Sequence, residues 1–308
     1  MNNKSANNRV KSPAGPHHPN DFFRRLIPNL FCLGSMAANA GVIATDPGDY
    51  VAFPAGTNLA LLYYSHAERN DIYLDGHKQN ASGFGLDSDI AALRAVHYVQ
   101  WGPVLAAPQV IVPFGSLRMS GARDDSAEGV GDPMFGSAFW LLNDPQHQRY
   151  LSFGTWIAAP LGNYDEDDAA MNIGENRWKG IVHASYTQSL VGNLAAEITA
   201  EWDFFGDNDD FAGMTRKQSR IFETQTHLRY NFSPGNFAAV SYYHTTGGEN
   251  ELNGVDLDDG LNSKRYMVSV AHMLTPSVQL LGQAGQDIEV RNGPEEKFRV
   301  GFRLLKIF

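Results

Sequence analysis

His183 and Ser185, two residues apart, could supply a general base and a nucleophile if a strand places them on one face. The run His183-Ala184-Ser185 has no clear third residue to orient the imidazole, so a noncatalytic pair facing a lumen is the simpler reading. Four acidic runs offer oxygen ligands instead: Asp124-Asp125, Asp165-Glu166-Asp167-Asp168, Asp207 through Asp210, and Asp256 through Asp259. Such clusters suit Ca²⁺ or Mg²⁺, but none has calcium-loop spacing, and Asp207-Asn208-Asp209-Asp210-Phe211 lacks the glycine and terminal glutamate of an EF-hand. Solvated loops account for them, with a cation-favouring channel mouth as the functional alternative. There is no H-E-x-x-H, no cysteine-histidine set and no phosphate-binding loop, so no catalytic residue, metal or cofactor is expected.

The remaining polar residues with a chemical role to play sit at every second position of apolar segments. In 194–205, Leu194, Ala196, Ile198, Ala200, Trp202 and Phe204 alternate with Glu197, Thr199, Glu201 and Asp203. In 220–232, Phe222, Thr224, Thr226, Leu228, Tyr230 and Phe232 stand opposite Glu223, Gln225, His227 and Arg229. Tyr266, Val268 and Val270 alternate with Arg265, Met267 and Ser269, and Phe298, Val300, Phe302 and Leu304 with Arg299, Gly301 and Arg303. A period of two over several segments is a strand signal. Arginine facing lipid at the bilayer midplane costs roughly 2 to 4 kcal/mol, so the charged face must point into a lumen. With Lys179 and His183, these charges form the expected lumen lining. They mix both signs, which fits cross-strand pairing that stiffens the wall, and equally a path recognising a polar solute.

These segments belong to a larger pattern. About a dozen strand-like segments between 59 and 308 are joined by connectors that alternate between long and short. The long ones are expected at 69–86, 115–131, 161–177, 206–218, 246–263 and 290–296, the short ones at 100–103, 143–147, 191–193, 232–236 and 274–277. Asn143-Asp144-Pro145, Gly192-Asn193, Ser233-Pro234-Gly235-Asn236 and Thr275-Pro276-Ser277 are compact turn formers. Long loops on one rim and short turns on the other define an all-β, transmembrane, antiparallel up-and-down β-barrel of the bacterial outer-membrane type, with about twelve strands and both ends on the periplasmic side. Aromatic residues near strand ends, among them Tyr63, Tyr64, Trp101, Trp140, Trp178 and Phe232, have the composition of interfacial girdles; the alternative is the core of a soluble sandwich. Two segments are less regular: 88–100 carries Arg94 in phase with Ile90, Val96 and Tyr98, and 237–245 is small or aromatic on both faces. Gly131, Gly136 and Gly154 are expected to mark bends or close packing within strands.

Charge and length agree. The 308 residues carry 24 basic and 34 acidic side chains, which argues against a nucleic-acid partner. Nothing after position 44 approaches the run of roughly 18 apolar residues that a membrane helix needs. The apolar stretch 26–38 follows Arg24-Arg25 and ends in Ala37-Ala38-Asn39-Ala40, a secretory signal pattern over residues 1–40 with cleavage after Ala40 or Ala44. It contains Cys32, the single cysteine. Residues 41–58 then form a periplasmic N-terminal segment, in which 50–58 could constrict the mouth, and 59–308 form the barrel.

Several runs resemble the family of outer-membrane proteins associated with the meta-pathway of phenol degradation: Gly56 through Tyr64, Gly129-Val130-Gly131-Asp132-Pro133 leading to Phe139-Trp140-Leu141-Leu142, Pro160 through Tyr164, and Asn172 through Trp178. The resemblance covers nearly the whole mature chain and implies a transporter for small, aromatic or hydrophobic molecules, with no catalytic residues. His183-Ala184-Ser185 also resembles the H-x-S run of outer-membrane phospholipases, but Tyr186-Thr187 departs from it at once. The final strand resembles those of assembled barrels, ending in Phe308 with Lys306 as a departure, so the barrel-assembly machinery is an expected partner alongside outer-membrane lipid, lipopolysaccharide and a small-molecule solute. The expected function is passive diffusion through a narrow polar lumen; a nontransporting structural or adhesion barrel and a lipid hydrolase are the alternatives.

Overall fold

A computed structural model describes residues 44–121, 124–168 and 171–308. Twelve long strands form the wall: β1 (Asn58–Leu74), β2 (Gly85–His97), β3 (Val104–Ser120), β4 (Met134–Asp144), β5 (Arg149–Ala158), β6 (Lys179–Ser189), β7 (Leu194–Phe205), β8 (Ile221–Ser233), β9 (Asn236–Gly247), β10 (Leu261–Thr275), β11 (Val278–Val290) and β12 (Gly293–Ile307). Each pairs antiparallel with the next, and β12 pairs with β1 from Leu59↔Ile307 to Tyr73↔Gly293, which closes the sheet. Closure removes the unpaired edges that an open sheet would expose to lipid.

The period-two faces divide as the chemistry requires. Ile198, Phe302, Val268 and Leu228 project outward, whereas Glu197, Glu201, Asp203, Glu223, His227, Arg229 and Arg303 are enclosed. Strands such as β1 are longer than the 9 to 11 residues or so needed to span. Their surplus stands above the hydrocarbon, as outward-facing Asp89 shows by accepting from Tyr64 Oη at 2.7 Å and Arg118 at 2.9 Å.

Three connectors depart from the sequence reading: within 69–86 β1 runs on to Leu74, and within 115–131 β3 runs on to Ser120 with Asp125–Val130 pairing back onto it. The third, the stretch expected as a long loop at 290–296, is a turn of Arg291 and Asn292, with Gly293 at φ 106°, and Glu296 lies inside β12. Beyond the membrane the outer face is polar as well, so alternation loses its hydropathic contrast and a strand reads as a loop. The β11–β12 ladder nevertheless stops at Gly285↔Arg299, and above it the Asp287 carboxylate accepts from the Glu296 N–H at 2.8 Å in place of a backbone partner.

Segments of the loops also pair. Residues 208–211, 214–218, 250–252 and 255–256 form a four-stranded sheet on the long-loop rim, which in outer-membrane barrels is extracellular. Two acidic runs are thereby built into structure, and Asp259 accepts from the Asn250 N–H at 2.8 Å and its side chain at 2.7 Å. Among the described residues no group of acidic, histidine or cysteine side chains is arranged to hold a metal. The proposed signal segment lies outside the described residues.

Candidate functional site: an obstructed lumen

Residues 44–53 run inside the barrel, and Pro54, Ala55 and Gly56 are exposed beside Tyr98 at the end of β2. Tyr50 is buried with Leu59, Leu61, Val96, Tyr98, Leu105, Trp140 and Leu305, and Val51 and Phe53 pack against the same cluster. Inward-facing leucines at the ends of β1, β3 and β12 are thus explained: they meet an apolar plug.

Polar contacts fix the plug's position. Arg303 Nη1 donates to Asp46 at 2.8 Å and to Asp49 at 2.9 Å, while Arg94 donates to Asp49 at 3.2 Å and to Tyr63 Oη at 3.1 Å. The Gly48 N–H donates to Glu197 at 2.9 Å, and the Thr45 N–H to Gln225 at 2.9 Å. Trp140 Nε1 donates to the Tyr50 carbonyl at 3.0 Å. Burial pushes the Asp46 carboxyl up to about 6 against the pull of Arg303. Asp49 is also raised by burial, but Arg94 and Arg303 together outweigh that and leave it below the ordinary carboxylate value. The difference has a simple cause: Asp49 is held by two guanidinium groups and Asp46 by one.

Each lumen charge expected from sequence has a defined place. Arg229 pairs with Glu197 at 2.6 Å, one step from the plug. His227 bonds Ser241 Oγ at 2.8 Å and lies 3.3 Å from Thr45 Oγ1. His183 stacks on Trp156 with centroids 4.4 Å apart and meets Tyr50 Oη at 3.3 Å. Ser185 Oγ accepts from Thr199 at 2.9 Å, so the H-x-S residues are turned to different partners and do not form a nucleophile-base pair. Gly154 leaves the space that Trp156 and His183 occupy. Lys179 pairs with Asp203 at 2.9 Å. Arg299 donates to Glu296 at 2.6 and 2.7 Å, and Arg265 lies 3.7 Å from the same carboxylate. Glu201 and Glu223 face each other across β7 and β8.

Sequence reasoning missed Asp46, Asp49, Arg69, Asp287 and Glu296. The one available signal was Arg94, a charge in phase with apolar residues, whose partners are Asp49, Tyr63 and Gln109, the last at 2.6 Å.

Above the plug lies a cavity of about 140 Å³, bounded by Asp46, Tyr63, Glu201, Glu223, Tyr243, Met267 and the Arg69-Glu296-Arg299 cluster. Described residues of the loop between β5 and β6 are tied to the inner wall. Asp132 accepts from the N–H groups of Gly162 at 2.9 Å and Glu175 at 2.7 Å, and Met171 and Ile173 pack with Leu86 and Leu117 on the inner wall. Glu175 pairs with buried Arg177; burial raises its carboxyl, but Arg177 and Lys179 bring it down to about 2.

The family model described as "Putative MetA-pathway of phenol degradation" matches residues 69–304. The crystal structure of an outer membrane channel from Pseudomonas putida F1 is 35% identical, with a TM-score of 0.82, covering 86% of this chain and 100% of that one. The transport unit of the autotransporter AIDA-I from Escherichia coli shares the fold at 8% identity and a TM-score of 0.54, covering 89% of this chain and 97% of its own. No curated protein matches the chain.

Proposed function

The chain belongs to that phenol-degradation family and is an outer-membrane β-barrel; on that premise we propose that it is a channel for small solutes of about one aromatic ring. The observation that carries this reading is the cavity above the plug, lined by the inner faces of β1, β2 and β7 to β12. An apolar cavity of about 150 Å³ accepts benzene, so a space of about 140 Å³ suits a single ring. Its wall is mixed, with Tyr243, Met267, Ile90 and Leu261 beside carboxylates and guanidinium groups. A ring with a polar substituent satisfies both surfaces, whereas a wholly apolar solute would strip water from charged groups without replacing it.

The route begins among the extracellular loops and enters the cavity from above. Onward movement requires residues 44–53 to leave their ion pairs, because they fill the lumen below. The polar contacts support a displaceable obstruction, since water can replace each charged or hydrogen-bonded partner that is given up, while exposure of Val51 and Phe53 opposes extraction. The lumen charges named from the sequence act here in two sets: Glu197, His227, Arg229 and Arg303 hold the plug or stand beside it, and Glu201, Asp203, Glu223, Arg265 and Arg299 line the cavity.

Proteoliposome swelling tests the proposal. Single-ring solutes such as phenol should enter faster than a disaccharide, and deletion of residues 44–53 should raise both rates. Swelling indistinguishable from protein-free vesicles, for the wild type and the deletion alike, would leave a barrel that does not transport.

A further inference from the structure

The cavity has two poles, and they differ in how well their charges are satisfied. At one, Glu296 accepts from Arg69 at 2.8 Å and from Arg299, while Asp287 lies beside Arg265 in register. At the other, Glu201 stands directly opposite Glu223, with Asp203 on the same face of β7. Lys179 takes Asp203 Oδ2, and Oδ1 has no partner. Thr245 donates to Glu223 Oε2 at 2.6 Å, and Oε1 has no partner. Glu201 Oε2 lies 3.5 Å from His183 Nδ1, an imidazole and not a fixed charge. Asp203 and Glu223 are only 2% and 6% exposed. One close ion pair, Lys179 with Asp203, therefore serves three enclosed carboxylates that line the cavity, and two of them keep an oxygen without a hydrogen-bond partner. Buried acceptors of this kind call for a donor.

We propose that this acidic pole binds a small protonated amine, with the hydrocarbon part of the ligand against Tyr243 and Met267, so that the channel takes organic cations in preference to the corresponding carboxylates. The inference rests on the reading of the barrel as a small-solute channel and specifies what its cavity selects. Arg265 Nε also lacks an acceptor, but its guanidinium lies 5.0 Å from the Tyr243 ring, with Glu296 and Asp287 at its side. A carboxylate entering there would compete with Glu296 and Asp287 for the guanidinium groups of Arg69, Arg265 and Arg299 that they already face. An ammonium at the other pole supplies the missing hydrogens and offsets the excess negative charge.

Equilibrium dialysis of the purified full chain against benzylamine and benzoate at neutral pH tests the site directly. Benzylammonium should bind the wild type more tightly than benzoate. Glu201→Gln and Glu223→Gln, which keep the side-chain shape, should each weaken amine binding roughly tenfold to hundredfold, the range for loss of a hydrogen bond to a charged group. Equal affinity for the two probes, no binding of the amine, or unchanged binding in folded glutamine variants would overturn the proposal. Should both variants fail to fold, the wild-type comparison of amine with carboxylate decides alone. Proteoliposome swelling with the same proteins separates the two claims. Amine binding without permeation of any solute removes the channel and keeps the site; permeation without preference for the amine over benzoate removes the site and keeps the channel.

Discussion

Neutralising Asp49 should open the lumen. In Asp49→Asn the segment retains its shape and its contacts through Thr45, Asp46, Gly48 and Tyr50, but loses the charge that Arg303 and Arg94 share. The two guanidinium groups keep neutral partners, Gln279 at 2.8 Å for Arg303 and Gln109 and Tyr63 for Arg94. Removing one partner of a buried ion pair costs about 3 to 5 kcal/mol. The neutral partners and the adjoining cavity favour the lower end, and about 3 kcal/mol corresponds to roughly a 150-fold rise in the displaced population. Planar-bilayer recording reads that ratio as open probability, with deletion of residues 44–53 marking the fully open limit. If Asp49→Asn records like the wild type while the deletion conducts freely, the Asp49 ion pairs do not hold the plug. If the deletion itself conducts no better than the wild type, residues 44–53 are not the obstruction.

Acidification should tighten the plug. Asp46 in place binds a proton more readily than in water, so between its ordinary 3.8 and about 6 the plugged state carries more protons than the displaced one, and plugging weakens as pH rises through that window. The lift is worth about 3 kcal/mol at most, and openings should be rarer at pH 4.5 than at pH 7, with the difference absent in Asp46→Asn. Asp49, held low, loses its contribution only below its ordinary value, and Glu175 only as pH falls from 4.5 toward about 2, so neither opposes the effect in that window. On the wall, Ile198→Arg should destabilise the barrel by about 2 to 4 kcal/mol in urea unfolding from lipid vesicles, because Ile198 faces outward at 52% exposure; a negligible change would place β7 in the opposite register. Gly154→Ala should cost about 1 to 3 kcal/mol by overpacking against Trp156 and His183, and should disturb the near-ultraviolet circular dichroism of the tryptophan.

The wall was legible wherever its two faces differ in polarity. β7, β8, β10 and β12 alternate charge with aliphatic side chains, and their faces follow without further information. β2 resisted because its inner face carries Val96 and Tyr98 beside Arg94: where the lumen holds an apolar plug, inside and outside have the same composition. The plug itself is a segment with no periodic pattern, and its anchors lie far along the chain, as in Asp46 with Arg303 or Thr45 with Gln225. The charged residues of the cavity could be named from sequence, but their division into a satisfied and an unsatisfied pole could not. That division depends on Glu296, which sat in a stretch read as a loop, and on a cross-strand register that places Glu201 against Glu223.

The loop between β5 and β6 and the plug are held by different means. The 159–178 loop is tied by Asp132 to backbone N–H groups within its own neighbourhood and by Met171 and Ile173 to an apolar patch of the inner wall. Moving it outward exposes apolar surface to water but leaves the plug in place. The plug's central contacts are charges, which gain little net stability from pairing but allow one arrangement and few others. Arg303 meets both Asp46 and Asp49 and joins β12 to the segment, while Glu197 joins it to β7, so the plug bridges opposite sides of the barrel. A cation entering the cavity approaches Asp46, which lines it from below, and competes with Arg303 for that carboxylate. Binding above can therefore weaken the closure beneath, and the two sites are coupled through one carboxylate that belongs to both.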